Sequence, residues 1–183
     1  MIHNNWRRLT ALSLTALLVS GCGKKAVEEA VAKNDRTAVQ TALAEGGDVN
    51  AKTSDGDTPL LLAVKTAQSS SAQGLIENGA DINVRDADGN GVLQHAAANG
   101  MTGICGLLID RGIPVDEKGK GGATALLLAV TAGRQETAKY LVRRGADLQS
   151  KDDSGVSPMD FVTRSGDNRF KGDLELAAKM RAN

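Results

Sequence analysis

Aromatic side chains are almost missing from this sequence: one Trp, one Tyr and two Phe in 183 residues. Proline occurs three times and cysteine twice, and 22 basic residues balance 22 acidic ones. Each shortage excludes something. A core with so few rings has to be built from Leu, Ile, Val and Ala. Without a basic excess the chain lacks the footprint of a nucleic-acid binder. Without an acidic excess it is no disordered acidic tail. The apolar run from Leu9 to Val19 is far shorter than the roughly 20 residues a membrane-spanning helix needs. Against these shortages stand 21 glycines, which implies a regular need for tight backbone turns. The length sets one domain as the default and two small ones as the ceiling.

The N-terminus has the layout of an address. Arg7 and Arg8 precede the apolar run, and small residues follow it. The segment Val19-Ser20-Gly21-Cys22 then resembles the lipobox of bacterial lipoproteins. The resemblance implies a signal peptide over 1–21 and a lipid anchor site at 22–23, with Cys22 acylated and becoming the first residue of the mature chain. Gly23 follows. In Gram-negative lipoproteins an Asp at that place marks retention at the inner membrane, so the resemblance implies the periplasmic face of the outer membrane. One acyl chain alone binds a bilayer marginally, whereas several make attachment effectively permanent. The mature chain then has about 162 residues, with 20 basic against 22 acidic.

Removal of the signal leaves Cys105 as the one cysteine beside the lipidated residue. No disulfide within the chain is then possible, even in an oxidising compartment. Cys105 lies in the apolar run from Ile104 to Ile109 with no basic neighbour. That setting predicts a small buried hydrophobe, not a reactive thiol.

A single period organises the rest. Gly56, Gly89, Gly122 and Gly155 are 33 residues apart, as are Gly46, Gly79, Gly112 and Gly145, and Ala30, Ala63, Ala96, Ala129 and Val162. The segment DGDTPLLLAV at 55–64 resembles the opening of an ankyrin repeat. GGDVN at 46–50, GADIN at 79–83 and GADLQ at 145–149 resemble its ending. The resemblance covers 24–183 and implies an all-α ankyrin-repeat solenoid of about five helix-turn-helix units with β-turn fingers. Residues 24–52 lack the opening turn and form an N-terminal cap repeat. Residues 53–85, 86–118 and 119–151 are full repeats. Residues 152–183 begin as a repeat and diverge into a charged helix that serves as the C-terminal cap.

Local chemistry agrees with this division. Thr58, Thr124 and Ser157 are placed as helix N-caps, with Pro59 and Pro158 next in line. Gly100, Gly133 and Gly166 are placed to end first helices, and Gly79, Gly112 and Gly145 to end second ones. The predicted buried stripe is Leu60, Ala63, Leu75 and Ile76, then Leu93, Ala96, Leu108 and Ile109, then Leu126, Ala129, Leu141 and Val142. Neither helix of a unit can bury its stripe alone, so units must stack. There are departures from the family pattern. The His that usually follows Thr-Pro-Leu is Leu61, Gln94, Leu127 or Asp160 here, so the inter-repeat polar tie is missing or altered. Gly91-Val92 stands where Thr-Pro is usual. Ser71 and Gly74 stand where bulkier apolar residues are usual, which predicts that the second helix of repeat 53–85 is the softest part of the array.

Three other signals are weak. Residues 86–91 carry Asp86, Asp88 and Asn90 at calcium-loop places 1, 3 and 5 and Gly91 at place 6, but Ala97 stands where the bidentate Glu belongs. The segment 119–124 is glycine-rich but lacks the Gly-Lys-Ser/Thr ending of a phosphate loop. His95 is the one histidine of the mature chain and has no Cys or His at ligand spacing. Catalytic residues, cofactors and metals are therefore expected to be none, and the chain is expected not to be an enzyme. Lys24, Lys25, Glu28 and Glu29 read as a solvated helix face, with the lysines close enough to the lipid to meet anionic head groups.

The ankyrin resemblance implies protein binding through a concave surface made by the turns and first helices. The variable positions there are Asp55 and Asp57, Lys65, Arg85, Asp88 and Asn90, Asn99, Lys118 and Lys120, Thr131, Lys151, Asp153 and Arg164, with Ser54, Thr66, Ala87, Ala123, Val156 and Ser165 beside them. Their charge shifts from acidic at 54–90 to basic at 118–164, which would steer a partner of opposite gradient. No aromatic is expected on that surface. The partners expected are another protein, bound by a monomer, and the membrane through the lipid. The expected role is a scaffold or an immunity-type inhibitor of a secreted or toxic enzyme. The competing expectation is a ligand-binding or enzymatic lipoprotein with a cryptic site.

Overall fold

The computed structural model describes residues 23, 25–53 and 55–181. The signal segment, Cys22, Lys24 and Ser54 lie outside the described residues. Helix α1 includes residues 23 and 25–32 and pairs with α2 (Arg36–Ala44). The helical pairs that follow are α3 (Pro59–Lys65) with α4 (Ser69–Glu77), α5 (Val92–Ala98) with α6 (Thr102–Asp110), α7 (Ala125–Thr131) with α8 (Gln135–Arg143), and α9 (Pro158–Ser165) with α10 (Asn168–Arg181). First helices touch first helices along the row α3, α5, α7, α9, and second helices touch along α2, α4, α6, α8, α10. The chain is an all-α solenoid of two helical layers.

Each opening turn closes on itself at the same place in the period. The amides of Thr53, Asp86, Gly119 and Asp152 donate to the carbonyls of Asp57, Asn90, Ala123 and Val156 at 2.7, 2.9, 2.9 and 3.0 Å. These are the fingers, and antiparallel bridges at Arg85–Gly91 and Lys118–Thr124 continue two of them. The helices start where hydroxyls can cap them: Thr58, Thr124 and Ser157 accept the amides of Leu61, Leu127 and Asp160 at 3.3, 3.3 and 3.1 Å. The repeat endings are Asx turns, in which Asp48, Asp81 and Asp147 each accept the amide two residues on at 2.9 Å.

The predicted stripe is the core. Leu60, Ala63, Leu75, Ile76, Leu93, Ala96, Leu108, Leu126, Ala129, Leu141 and Val142 are buried, while Ile109 is only half-buried. The altered polar tie takes three forms. Leu61 and Leu127 replace it with buried apolar contact. The fully buried Gln94 keeps it: its amide donates to the Glu117 carbonyl of the next finger at 2.7 Å, and its oxygen accepts from Gly91 at 3.2 Å. Asp160 turns back onto its own helix, accepting from the Ser157 amide at 3.1 Å.

The small residues of α4 fit a close approach. The Ser71 hydroxyl donates to the carbonyls of Ala30 and Val31 at 3.3 and 3.4 Å. A Cβ on Gly74 would stand 3.1 Å from Arg36 Cγ. Asn34, itself left-handed at φ 52°, caps α4 from the preceding unit by accepting the amides of Ser70 and Ser71 at 2.9 and 3.2 Å.

Strain enters two residues before that capped helix begins. The link between first and second helix is left-handed at Gly100, Gly133 and Gly166, with φ of 74°, 69° and 76°. The position 33 residues before Gly100 is Ala67, at φ 59°. A Cβ in that conformation costs about 1–2 kcal/mol, partly offset by the lower chain entropy alanine brings. Ala67→Gly is therefore expected to raise the unfolding free energy by about 0.5–1 kcal/mol in urea titration. A destabilisation of that size would contradict the strain.

Candidate functional site

Fingers and first helices together present one continuous face. Along it, the column Leu62, His95, Leu128 and Phe161 repeats every 33 residues. The first three are half-buried and Phe161 is 37% exposed. Beside Phe161 lies a hollow of about 230 Å³ whose lining includes Val130, Thr131, Gly133, Ser165 and Phe170. The expectation of a surface without aromatics is thus corrected. Phe161 belongs to the terminal unit, but that unit's first helix continues the same row, so its ring reaches the common face.

Most of the charged positions expected to meet a partner are tied to one another instead. Asp57 accepts from Lys65 at 2.6 Å, and this bond raises the Lys65 pKa above its ordinary value. Arg85 of one finger holds Glu117 and donates to the Lys118 carbonyl of the next at 3.2 Å. Asp88 and Lys120 pair across the same two fingers at 2.7 Å, and Asn90 accepts the Lys120 amide at 3.0 Å. Lys118 reaches forward to the Lys151 carbonyl at 2.8 Å. Asn99 reaches back to the Val64 carbonyl at 2.7 Å. The Thr131 hydroxyl donates to the Leu127 carbonyl of its own helix at 3.0 Å. Asp153 donates its amide to the Gly121 carbonyl at 2.9 Å and leaves its side chain exposed. Asp55, Lys151 and Arg164 are exposed, and the latter two stand near enough to Asp160 to help hold its carboxyl below the usual range, chiefly a consequence of its bonds with Ser157. The acidic-to-basic gradient is reduced by these pairs, because Asp88 of an earlier finger neutralises Lys120 of a later one and Asp57 neutralises Lys65 of its own repeat.

Asp86 organises the finger that resembled a calcium loop. Its carboxylate accepts the amides of Asp88 and Asn90 at 3.0 and 2.9 Å and meets His95 Nε2 at 2.7 Å. Its side chain is only 8% exposed. The carboxylate holds the turn and fixes the histidine ring, so His95 finds its partner within its own repeat. Among the described residues no three His, Cys, Asp or Glu side chains gather as a metal site. The 119–124 loop is a turn around the short 3₁₀ segment Lys120–Gly122. Cys105 is fully buried, and burial pushes its thiol up to about 12. It stays a neutral thiol at physiological pH.

The opposite face has a trough of about 630 Å³ between α4 and α8 over α6. Gly103 and Gly106 open its floor, and Tyr140 forms one wall. Arg144 donates to the Tyr140 hydroxyl, lies over the ring at 5.6 Å from its centroid, and pairs with Asp110.

A two-layer stack with paired fingers defines an interaction solenoid. The family model described as ankyrin repeats (3 copies) matches residues 8–86, 27–118 and 67–152, and the chain belongs to the ankyrin repeat family. No curated protein matches it. Among the described residues no helix is long and apolar enough to cross a membrane.

Column 62, 95, 128 and 161 was missed by reading variable charged positions along the chain. The signal that finds it is the same 33-residue ladder, read one place beyond the predicted polar tie.

Asp86 also sets a pH dependence. Burial pushes its carboxyl up, but the bonds from His95 and the amides of Asn90 and Asp88 outweigh this and hold it below the ordinary value. A depressed carboxyl contributes stability above its unfolded-state pKa of about 3.9, and that stability is lost as pH falls through the folded-state value. Asp86→Asn is expected to cost about 1–2 kcal/mol at pH 7, with the gap to wild type narrowing below about pH 4 in unfolding titrations. A gap that stayed constant down to pH 3 would contradict this.

Proposed function

We propose that the chain is a non-catalytic, lipid-anchored interaction module of the bacterial cell envelope, held at the periplasmic face of the outer membrane by Cys22. The ankyrin membership supports protein binding. The lipobox-like Val19-Ser20-Gly21-Cys22 and the short apolar run before it support the anchor. The observation that carries the binding surface is the exposed Phe161 at the end of the column Leu62, His95 and Leu128, beside the adjoining hollow. Aromatic anchors seated beside pockets dominate interface energetics. In this reading Leu62, Leu128 and Phe161 contact the partner. Asp55, Lys151, Asp153 and Arg164 form its polar rim, and the finger-to-finger pairs keep the face rigid. A scaffold and an inhibitor of a secreted enzyme would use the same face.

Residue 23 is already helical, one place after the proposed anchor, so the array would sit close to the membrane and serve partners that are there or diffuse to it. The test uses the full chain expressed in a Gram-negative envelope. Wild type is expected in the outer-membrane fraction, carrying one stoichiometric partner on affinity capture. Cys22→Ala should abolish the membrane fractionation, and Phe161→Glu should abolish the capture while leaving the fractionation. Retention of the partner by Phe161→Glu would place binding elsewhere, and membrane association of Cys22→Ala would remove the anchor.

A further inference from the structure

Asparagine is followed by glycine at Asn78-Gly79, Asn90-Gly91 and Asn99-Gly100. In such a pair the glycine amide nitrogen can attack the asparagine Cγ and close a five-membered ring, because no Cβ on the glycine obstructs the approach. The structure leaves the three pairs in different states. Asn90 is half-buried, and its Oδ1 accepts the Lys120 amide of the next finger at 3.0 Å. The Gly91 amide beside it is buried and donates to Gln94 Oε1 at 3.2 Å. Asn99 is half-buried, and its Nδ2 donates to the Val64 carbonyl of the preceding repeat at 2.7 Å. Both side chains are therefore fixed by neighbouring repeats. Asn78 differs. It is exposed at the end of α4, and its Nδ2 donates to the carbonyl of Gly74, in its own helix, at 2.8 Å. The Gly79 amide closes the last turn on the Ile76 carbonyl at 3.3 Å. Gly79 is exposed, with nothing within 4 Å of the place a Cβ would take. Releasing this pair takes only the fraying of one helix end, whereas releasing the other two means parting adjacent repeats.

We propose that Asn78 is a self-modifying residue, converted by water to aspartate and isoaspartate while the other two pairs persist. When the last turn of α4 frays, the Gly79 amide loses its proton to base and its nitrogen bonds to Asn78 Cγ. The Cγ–Nδ2 bond then breaks, and the departing nitrogen takes a proton back and leaves as ammonia. One water opens the ring. Attack at Cγ gives aspartate, and attack at the main-chain carbonyl gives isoaspartate, in which the backbone runs through Cβ. Nothing is oxidised or reduced. Either product removes the amide donor from Gly74. Either also puts a carboxylate at the C-terminal end of α4, where the helix dipole is already negative. That end ties the array together: Glu77 pairs with Arg36 of the preceding unit, and the Ile76 carbonyl accepts from Arg111 of the next at 2.7 Å. The conversion therefore loosens the junctions of repeat 53–85 with both neighbours, and it is irreversible once ammonia has left.

The full chain in detergent micelles is aged at mildly alkaline pH in heavy-oxygen water and mapped by peptide mass spectrometry. Asn78 is expected to convert several-fold faster than Asn90 or Asn99, taking up one heavy oxygen and giving both aspartate and isoaspartate. In concentrated urea the three pairs are expected to convert at similar rates, because the contacts that rank them are gone. Hydrogen exchange on the aged folded chain should show the amides of 75–79 exchanging several-fold faster than before, with those of 137–143 unchanged. Asn78→Gln keeps an amide at the helix end but needs a larger ring, so ageing should leave its exchange unchanged. Equal conversion of the three pairs in the folded chain, or the same ranking in urea, would overturn the proposal. So would unchanged exchange after conversion, or an equal loss of protection in aged Asn78→Gln.

Discussion

No helix in this chain can bury its apolar side within its own repeat, and this constraint governs everything else. Leu60, Leu93 and Leu126 are fully buried because the first helices of adjacent repeats touch, and Leu75, Leu108 and Leu141 because the second helices do. Stacking at a fixed interval means each side chain meets the residue 33 places along the sequence or its neighbour. The thin, alanine-rich composition follows. Ala63, Ala96 and Ala129 stand at zero exposure between helices, where rings would force the layers apart. Stability in such an array is close to a sum of neighbour terms, so the interfaces between repeats decide whether it folds.

The same interval decides what the charged surface can do. A lysine or arginine on one finger finds its partner on an adjacent one, as Arg85 does with Glu117 of the next and Lys120 with Asp88 of the one before. Individually such exposed pairs contribute little. Together with the Gln94 bond to Glu117 they couple the fingers into a row. Charge that would otherwise attract a partner is taken up in tying neighbouring fingers together. In the proposed function, the partner is recognised by the less conspicuous column ending at Phe161.

The period, the stripe and the helix caps were legible in the sequence because each depends on residue type at a fixed spacing. Thr58 before Pro59, or the glycine ladder, is as informative unfolded as folded. The functional face was less legible. Lys118 and Lys120 look like recognition residues in a linear reading, and only the stacked fingers show that they reach Lys151 and Asp88. Phe161 looked terminal because its unit diverges after the first helix, yet that helix keeps its place in the row. Gly74 and Ser71 read as weak points, whereas the structure shows what they make room for: Arg36 and the carbonyls of Ala30 and Val31. Ala67 gave no signal alone, and its strain appears only beside Gly100 and Gly133 at the matching positions.

The central claim is that the 33-residue register, not the identity of any one repeat, holds the array together. Excision tests it most directly. Removing 86–118 takes out one full period, so α3 and α4 would meet α7 and α8 in the same register. Removing 86–115 deletes almost the same sequence but breaks the register. The first variant is expected to unfold in urea in one cooperative transition, with a slope reduced by roughly one-fifth in proportion to the buried surface lost. The second is expected to lose cooperativity. Equal cooperativity in both variants would contradict the account.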